Sequence, residues 1–238
     1  MPIPIVVYTH SEYSFLWKAT IPLLEKYAKG FDIILCCDTL LDVTPPQGWR
    51  VFTYDTSLSW SMRVKTCIDT IDCEYIIYLQ EDWLLIDSLS NERIDYCVDF
   101  MKEYSCEFLL SIPCNPEDLF YDIGYDGHRF IKIFTHYLQP AIWKKSLLIE
   151  FCLLDIPLRD AETEKCFNLT KGRNCFATYS TKFIKDMSTR SFFFPHIHAI
   201  FQGKWTFIKY PCLKALVEAY GIDTTTRAVD NSWMIEYQ

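Results

Sequence analysis

The sequence carries none of the spacings that mark the commonest catalytic loops. It has no glycine-and-lysine run of a P-loop and no G-x-S-x-G elbow, which removes P-loop phosphate chemistry and α/β-hydrolase chemistry. Its eleven cysteines never stand in a C-x-x-C pair, so a zinc site lacks its ligand spacing. Positive charge is scarce: 23 Lys and Arg face 31 Asp and Glu, a formal net charge of -8. That balance argues against a nucleic-acid partner, which usually meets a basic face. No apolar run reaches the roughly 18 residues that a membrane span needs. No repeat, low-complexity segment or linker divides the chain, so one domain over 1–238 is expected, long enough for a full core.

What is present is apolar and aromatic. Half the residues are hydrophobic and 16% are aromatic, the composition of a globular protein and not of a disordered one. Cys36 and Cys37 sit inside an apolar run, and Cys67, Cys97, Cys152, Cys166 and Cys212 lie in helix-like stretches. The chain opens on a strand-like segment with no signal-peptide pattern before it. Together these features predict reduced, mostly buried thiols in a cytoplasmic protein.

The organising stretch is Tyr75 to Trp83. Residues 75–79 are apolar or aromatic without a break, as in a parallel strand buried on both faces. The run ends in Gln80, Glu81 and Asp82. Ligands of open α/β sheets collect at the carboxyl ends of strands, where acids can hold a hard divalent cation and, through it, phosphate oxygens. The plainer reading is that the two acids cap a following turn.

Around this stretch, strands alternate with helices. Residues 3–9 read as a strand, 13–28 as a helix that Pro22 should kink or restart, 31–37 as a strand and 49–54 as another. Residues 59–70 read as a helix before the central strand. This alternation predicts an α/β fold with a central, mostly parallel sheet flanked by helices. Further on, 91–104 reads as a helix and 108–112 as a strand. Residues 113–127 form a long loop of the kind that often serves binding. A strand at 130–134 follows, then a turn through Pro140 and Trp143 into a helix over 144–154. Residues 157–167 open on Pro157 and carry acids in their first turns, as a helix N-terminus would. A last helix and a polar tail begin at 208.

Three further clusters carry possible chemistry. Asp160, Glu162 and Glu164 lie within five residues and include a candidate general base; the bland reading is a solvated helix face. His196 and His198 alternate on a strand-like segment and so share a face. Gly203 precedes Lys204, an arrangement that permits close backbone approach to phosphate beside a point charge.

The order of these clusters resembles the GT-A-type glycosyltransferases that use nucleotide sugars. It is most similar to small enzymes of bacterial surface-polysaccharide clusters and of large DNA viruses that glycosylate their capsids. The likeness runs from Val6 to Trp205. It rests on Tyr8-Thr9-His10-Ser11, Trp60-Ser61-Met62-Arg63, Tyr78 to Trp83, Leu138 to Trp143, the acids from Asp160 to Glu164, and His198 to Trp205.

The resemblance implies a single GT-A-like, Rossmann-like domain, with a donor half over about 1–105 and an acceptor half over about 106–238. It puts Thr9, His10 and Ser11 around the nucleotide, Asp38 at its base or ribose, and Arg63 at the ribose or diphosphate. Gln80-Glu81-Asp82 takes the place of the family's Asp-x-Asp motif, departing from it at Gln80. Asp82 would be a ligand of Mn2+ or Mg2+ with His198 joining it, and His196 in reserve. Lys204 would hold the leaving diphosphate and Trp143 would stand on the acceptor side. Glu162 is the preferred base, with Glu164 and Asp160 as alternatives. The activity implied is inverting transfer of a sugar from a nucleoside-diphosphate sugar, UDP being the commonest nucleotide, to a hydroxyl of a glycan acceptor. Two other classes compete. A nucleotidyltransferase would carry a glycine-rich basic loop after the first strand, which 9–12 is not. A non-catalytic carbohydrate-binding module would tolerate the departure at Gln80, but has no use for the intact acids.

Overall fold

The structure, a computed structural model, describes residues 3–41, 43–111, 122–125, 128–133, 138–179 and 192–231. The first half follows the alternation read from the sequence: β1 (Ile5–Tyr8), α1 (Ser14–Tyr27), β2 (Ile33–Cys37), β3 (Arg50–Thr53), α2 (Trp60–Asp69), β4 (Tyr75–Gln80), β5 (Trp83–Leu85) and α3 (Asn91–Glu103). Then come β6 (Phe108–Leu110), β7 (Asp122–Tyr125), β8 (His128–Ile133), β9 (Ala141–Lys144), α4 (Lys145–Cys152), α5 (Glu164–Thr170), β10 (Cys175–Tyr179), β11 (His196–His198), β12 (Ile200–Phe201), β13 (Lys204–Trp205) and α6 (Pro211–Ala219).

Nine strands form one sheet in the order β3-β2-β1-β4-β9-β6-β10-β8-β7. The first four are parallel, and only β9 and β8 oppose the common direction. The all-buried runs Ile5–Tyr8 and Ile33–Cys37 explain this architecture, because a strand covered on both faces has no polar side to show. Alternate residues serve opposite layers. Ile5, Val7, Ile77 and Leu79 pack with Trp17 and Leu24 of α1 and with α3, while Val6, Tyr8, Ile76 and Tyr78 pack with α2 and α4. A third apolar cluster joins the other side of α1 to β5, β11 and α6 through Leu16, Leu84, Ile197, Trp205 and Leu213.

Four expectations change. The helix α1 runs unbroken through Pro22, whose lost donor is offset by burial of Leu16, Trp17, Ala19, Ile21, Leu23 and Leu24. Residues 141–144 are a strand and not a turn: Ala141, Ile142 and Trp143 are a short, wholly buried apolar run inserted between β4 and β6. The long loop is interrupted by β7 at the sheet edge, and its remaining residues, 113–121 and 126–127, lie outside the described ones. The helix expected from Pro157 begins only at Glu164; before it stand a single turn of 3-10 helix at Leu158–Asp160 and a short link. No helix among the described residues is long and apolar enough to cross a membrane.

Candidate functional site

The strands β1 and β4 end side by side, with Tyr8 opposite Gln80. Beyond them opens a cleft of about 890 Å³. Its floor is the segment from Gln80 to Trp83, held from three sides. The amide of Glu81 donates to Tyr8 O at 3.1 Å, Thr20 of α1 donates its hydroxyl to Glu81 O at 2.9 Å, and the amide of Ala199 donates to Asp82 O at 2.7 Å.

The pairing of β11 with β5 is what brings distant residues together. His198 lies opposite Trp83 in register, and the two rings stack at 3.9 Å. This sets His198 Nε2 at 3.1 Å from Asp82 Oδ2. The other oxygen, Asp82 Oδ1, is buried with no partner among the described residues. Two neighbouring ligands of one octahedral cation stand about 3 Å apart when each is about 2.1 Å from the ion. The separation of carboxylate and imidazole, and the spare buried oxygen, therefore fit a divalent metal. No cluster of three or more such ligands exists among the described residues, so water or substrate oxygens would have to complete a shell. His196 borders the same Trp83, edge-on at 5.0 Å, and its Nδ1 meets Phe194 O. Burial lowers its pKa to about 4, which keeps it neutral. Glu81 lines the cleft but is only 6% exposed; burial first, and the adjacent Asp82 second, push its carboxyl well above the usual range.

On the β1 side, Thr9 is buried beneath the cleft and not in its wall. Its hydroxyl accepts from Trp17 Nε1 at 2.5 Å and its carbonyl from the Tyr54 hydroxyl at 2.7 Å. Ser11 and Asp38 also lie outside the lining. They lock to each other, Ser11 N donating to Asp38 Oδ1 at 2.8 Å and Ser11 Oγ to Oδ2 at 2.6 Å. Burial alone would raise the Asp38 carboxyl, but these bonds and His10, 3.6 Å away, bring it below its ordinary value. The pair thus fixes the loop that presents His10 to the cleft. Arg63 lines the cleft from α2. It is braced by bonds to Leu58 O at 2.8 Å and Thr56 O at 2.5 Å, with its guanidinium 5.3 Å from the Tyr54 ring.

The opposite wall holds Leu138, Gln139, Leu158 and Glu162. Glu162 Oε1 accepts the Leu138 amide at 2.8 Å, and its side chain reaches the cleft. Asp160 stays outside the lining, 3.8 Å from Arg159. The side chain of Glu164 lies outside the described ones. Two residues are placed away from their expected posts. Trp143 is fully buried in the core against Phe108 and Phe151, because β9 lies inside the sheet, so it offers no face to an acceptor. Lys204 is exposed at the start of β13, outside the lining; the lysine in the lining is Lys209. Sequence reasoning passed over Lys209, which has no neighbouring motif. Gln139 and Trp60 stood within quoted motifs without a role; both line the cleft, Gln139 just before β9 and Trp60 at the start of α2.

No family model and no curated protein matches the chain. Solved structures do match its fold. A cytidylyltransferase from Leptospira borgpetersenii serovar Hardjo-bovis is 13% identical over 93% of this chain and 94% of that one, with a TM-score of 0.51. S. aureus TarS 1-349 in complex with UDP is 10% identical over 92% of this chain and 65% of that one, at 0.49. The bifunctional IspDF from Campylobacter jejuni is 10% identical over 81% of this chain, at 0.45, and this chain spans about half of it, 52%. The Leptospira enzyme, at this identity, speaks for a shared α/β fold and no more.

Proposed function

We propose that this protein is an inverting glycosyltransferase. It moves a sugar from a nucleoside-diphosphate sugar, UDP-linked by preference, to a hydroxyl of a glycan acceptor, assisted by Mn2+ or Mg2+. The observation that carries this reading is the Asp82–His198 pair at 3.1 Å on the cleft floor, with a second Asp82 oxygen buried and unpartnered among the described residues. When bound there, the cation supplies positive charge to the diphosphate.

Asp82 and His198 hold the cation. The loop at His10 and the braced Arg63 border the nucleotide, with Asp38 and Ser11 setting the loop. Lys209, in the lining, offers charge to the leaving diphosphate, and Lys204 reaches it only from the rim. Glu162 takes the proton of the acceptor hydroxyl as the acceptor oxygen bonds to the anomeric carbon. The bond from that carbon to the phosphate oxygen breaks, and its electron pair leaves with the nucleoside diphosphate. Glu162 is favoured over Asp160 because its side chain lines the cleft and one oxygen is anchored by Leu138 N–H. Glu164 remains the alternative base.

A second reading, nucleotidyl transfer, is favoured by the fold shared with the Leptospira cytidylyltransferase over 93% of this chain. Against it, the segment from Thr9 to Tyr13 holds no glycine, lysine or arginine. The test is thermal shift with UDP, GDP, CMP and dTDP, each with and without manganese, followed by product analysis. The transferase reading expects one nucleoside diphosphate to stabilise the protein, more so with manganese, and release of that diphosphate from its sugar conjugate. Pyrophosphate released from CTP or UTP with a sugar phosphate would replace it by nucleotidyl transfer. A protein that binds glycans but no nucleotide would be a binding module.

A further inference from the structure

Besides Asp82 Oδ1, three buried polar atoms of cleft-lining residues have no hydrogen-bond partner among the described residues: Gln80 Nε2, Gln139 Oε1 and Trp60 Nε1. Buried polar atoms are almost always satisfied, so a group of orphans on one cavity points to something that belongs there. The three share a patch. β9 begins two residues after Gln139, and its first residue, Ala141, lies opposite Tyr78, two residues before Gln80. Gln80 is opposite Tyr8, whose ring meets Trp60 edge-on at 6.3 Å. Partners in register share a face of the sheet, so Gln80 projects with Tyr8 to the face that holds Trp60, and Gln139 lines the same cleft.

The unmet needs are two donors, an amide N–H and an indole N–H, and one amide acceptor. None carries charge. A phosphate, which only accepts, would leave the Gln139 oxygen unmet and gain no counter-charge. Hydroxyls both donate and accept, and match all three. The patch adjoins the reacting groups along the chain. Gln80 lies two residues before Asp82, and Gln139 follows Leu138, whose amide holds Glu162.

We infer that Gln80, Gln139 and Trp60 form the subsite that reads the hydroxyls of the transferred sugar, and so select which hexose the enzyme moves; this rests on the glycosyltransferase reading above. A site built to hydrogen-bond a hydroxyl rejects the analogue that lacks or misdirects it, because its own groups are then left unpaired. On this account Gln80, where the family pattern has Asp, is a neutral sugar-reading residue.

The experiment is calorimetric titration with manganese present, using UDP, UDP-glucose, UDP-galactose and UDP-N-acetylglucosamine on the parent, Gln139→Leu and Trp60→Phe. The parent is expected to prefer one sugar conjugate over the others and over UDP. Each variant should lose about three- to tenfold of that preference, the scale of one hydrogen bond, with affinity for UDP itself unchanged. Trp60→Phe keeps the ring and removes the N–H, so it reads the bond even if Gln139→Leu repacks. UDP binding with no discrimination among sugars in the parent overturns the subsite, as does a preference that both variants keep in full; either result leaves the transferase reading standing. Failure of UDP, GDP and dTDP alike to bind removes the transferase reading, and the subsite with it.

Discussion

Asp82 stands between two demands. One oxygen faces His198 and the other is buried without a partner among the described residues. Replacing it by Ala removes the unpaired acceptor along with the ligand. Asp82→Ala is therefore expected to melt no lower than the parent without ligand, and to lose all of the extra nucleotide stabilisation that manganese gives; thermal shift reads both. Persistence of the manganese effect would move the metal elsewhere. Glu162→Gln keeps the bond from Leu138 N–H but cannot take a proton. Transfer should fall about 10²- to 10⁴-fold, the range of general base catalysis, while donor affinity holds in a titration. Survival of activity there, with loss in Glu164→Gln, shifts the base to Glu164. Asp38 gives a pH signature. Its folded pKa is depressed, so it binds fewer protons folded than unfolded, and its contribution is full above its ordinary value of 3.8 and lost as pH falls through the lowered one. Asp38→Asn should thus lose less stability than the parent between pH 7 and pH 3, measured by urea unfolding at both.

At the scale of elements, what could be read depended on how local the signal was. The strand β4 was legible because five apolar residues in a row admit little else at that length. Pro140 hid β9, since proline next to a three-residue apolar run reads as a turn. β10 escaped notice too, being short and flanked by polar residues. The resemblance put Trp143 on the acceptor side, whereas its ring lies buried, 4.5 Å from that of Phe108. Neither the arrival of Gln139 in the cleft that Gln80 lines nor the meeting of Asp82 with His198 follows from local pattern. Each depends on strand pairing between segments far apart in the chain, which no periodicity reports. That the two histidines share a face was legible, since alternation along a strand is local. The core placement has its own consequence. Trp143→Ala should destabilise the fold by about 3–5 kcal/mol, the usual cost of emptying a buried aromatic site, with nucleotide affinity intact in the fraction that folds. Full stability combined with loss of acceptor use alone would return Trp143 to the cleft.

Across the whole molecule the cysteines test the packing. Eight of the ten described cysteines are buried; Cys73 is half-buried and Cys212 is exposed. Burial pushes the Cys37 thiol up to about 11 and that of Cys175 up to about 12. Buried thiols with raised pKa are poor nucleophiles, since the thiolate is the reactive form. A fold held by its apolar layers, with thiols as small hydrophobes, predicts that reducing agent leaves the melting temperature unchanged. It also predicts that a thiol reagent at neutral pH labels Cys212 first among the described positions, while the eight buried ones respond only in denaturant, where all eleven cysteines of the sequence should titrate. A fall in melting temperature on reduction, or fewer than eleven thiols in denaturant without reductant, would mean that disulfides contribute to stability. Rapid labelling of Cys36, Cys97 or Cys152 in the native protein would mean that the layers around the sheet open far more readily than their burial implies.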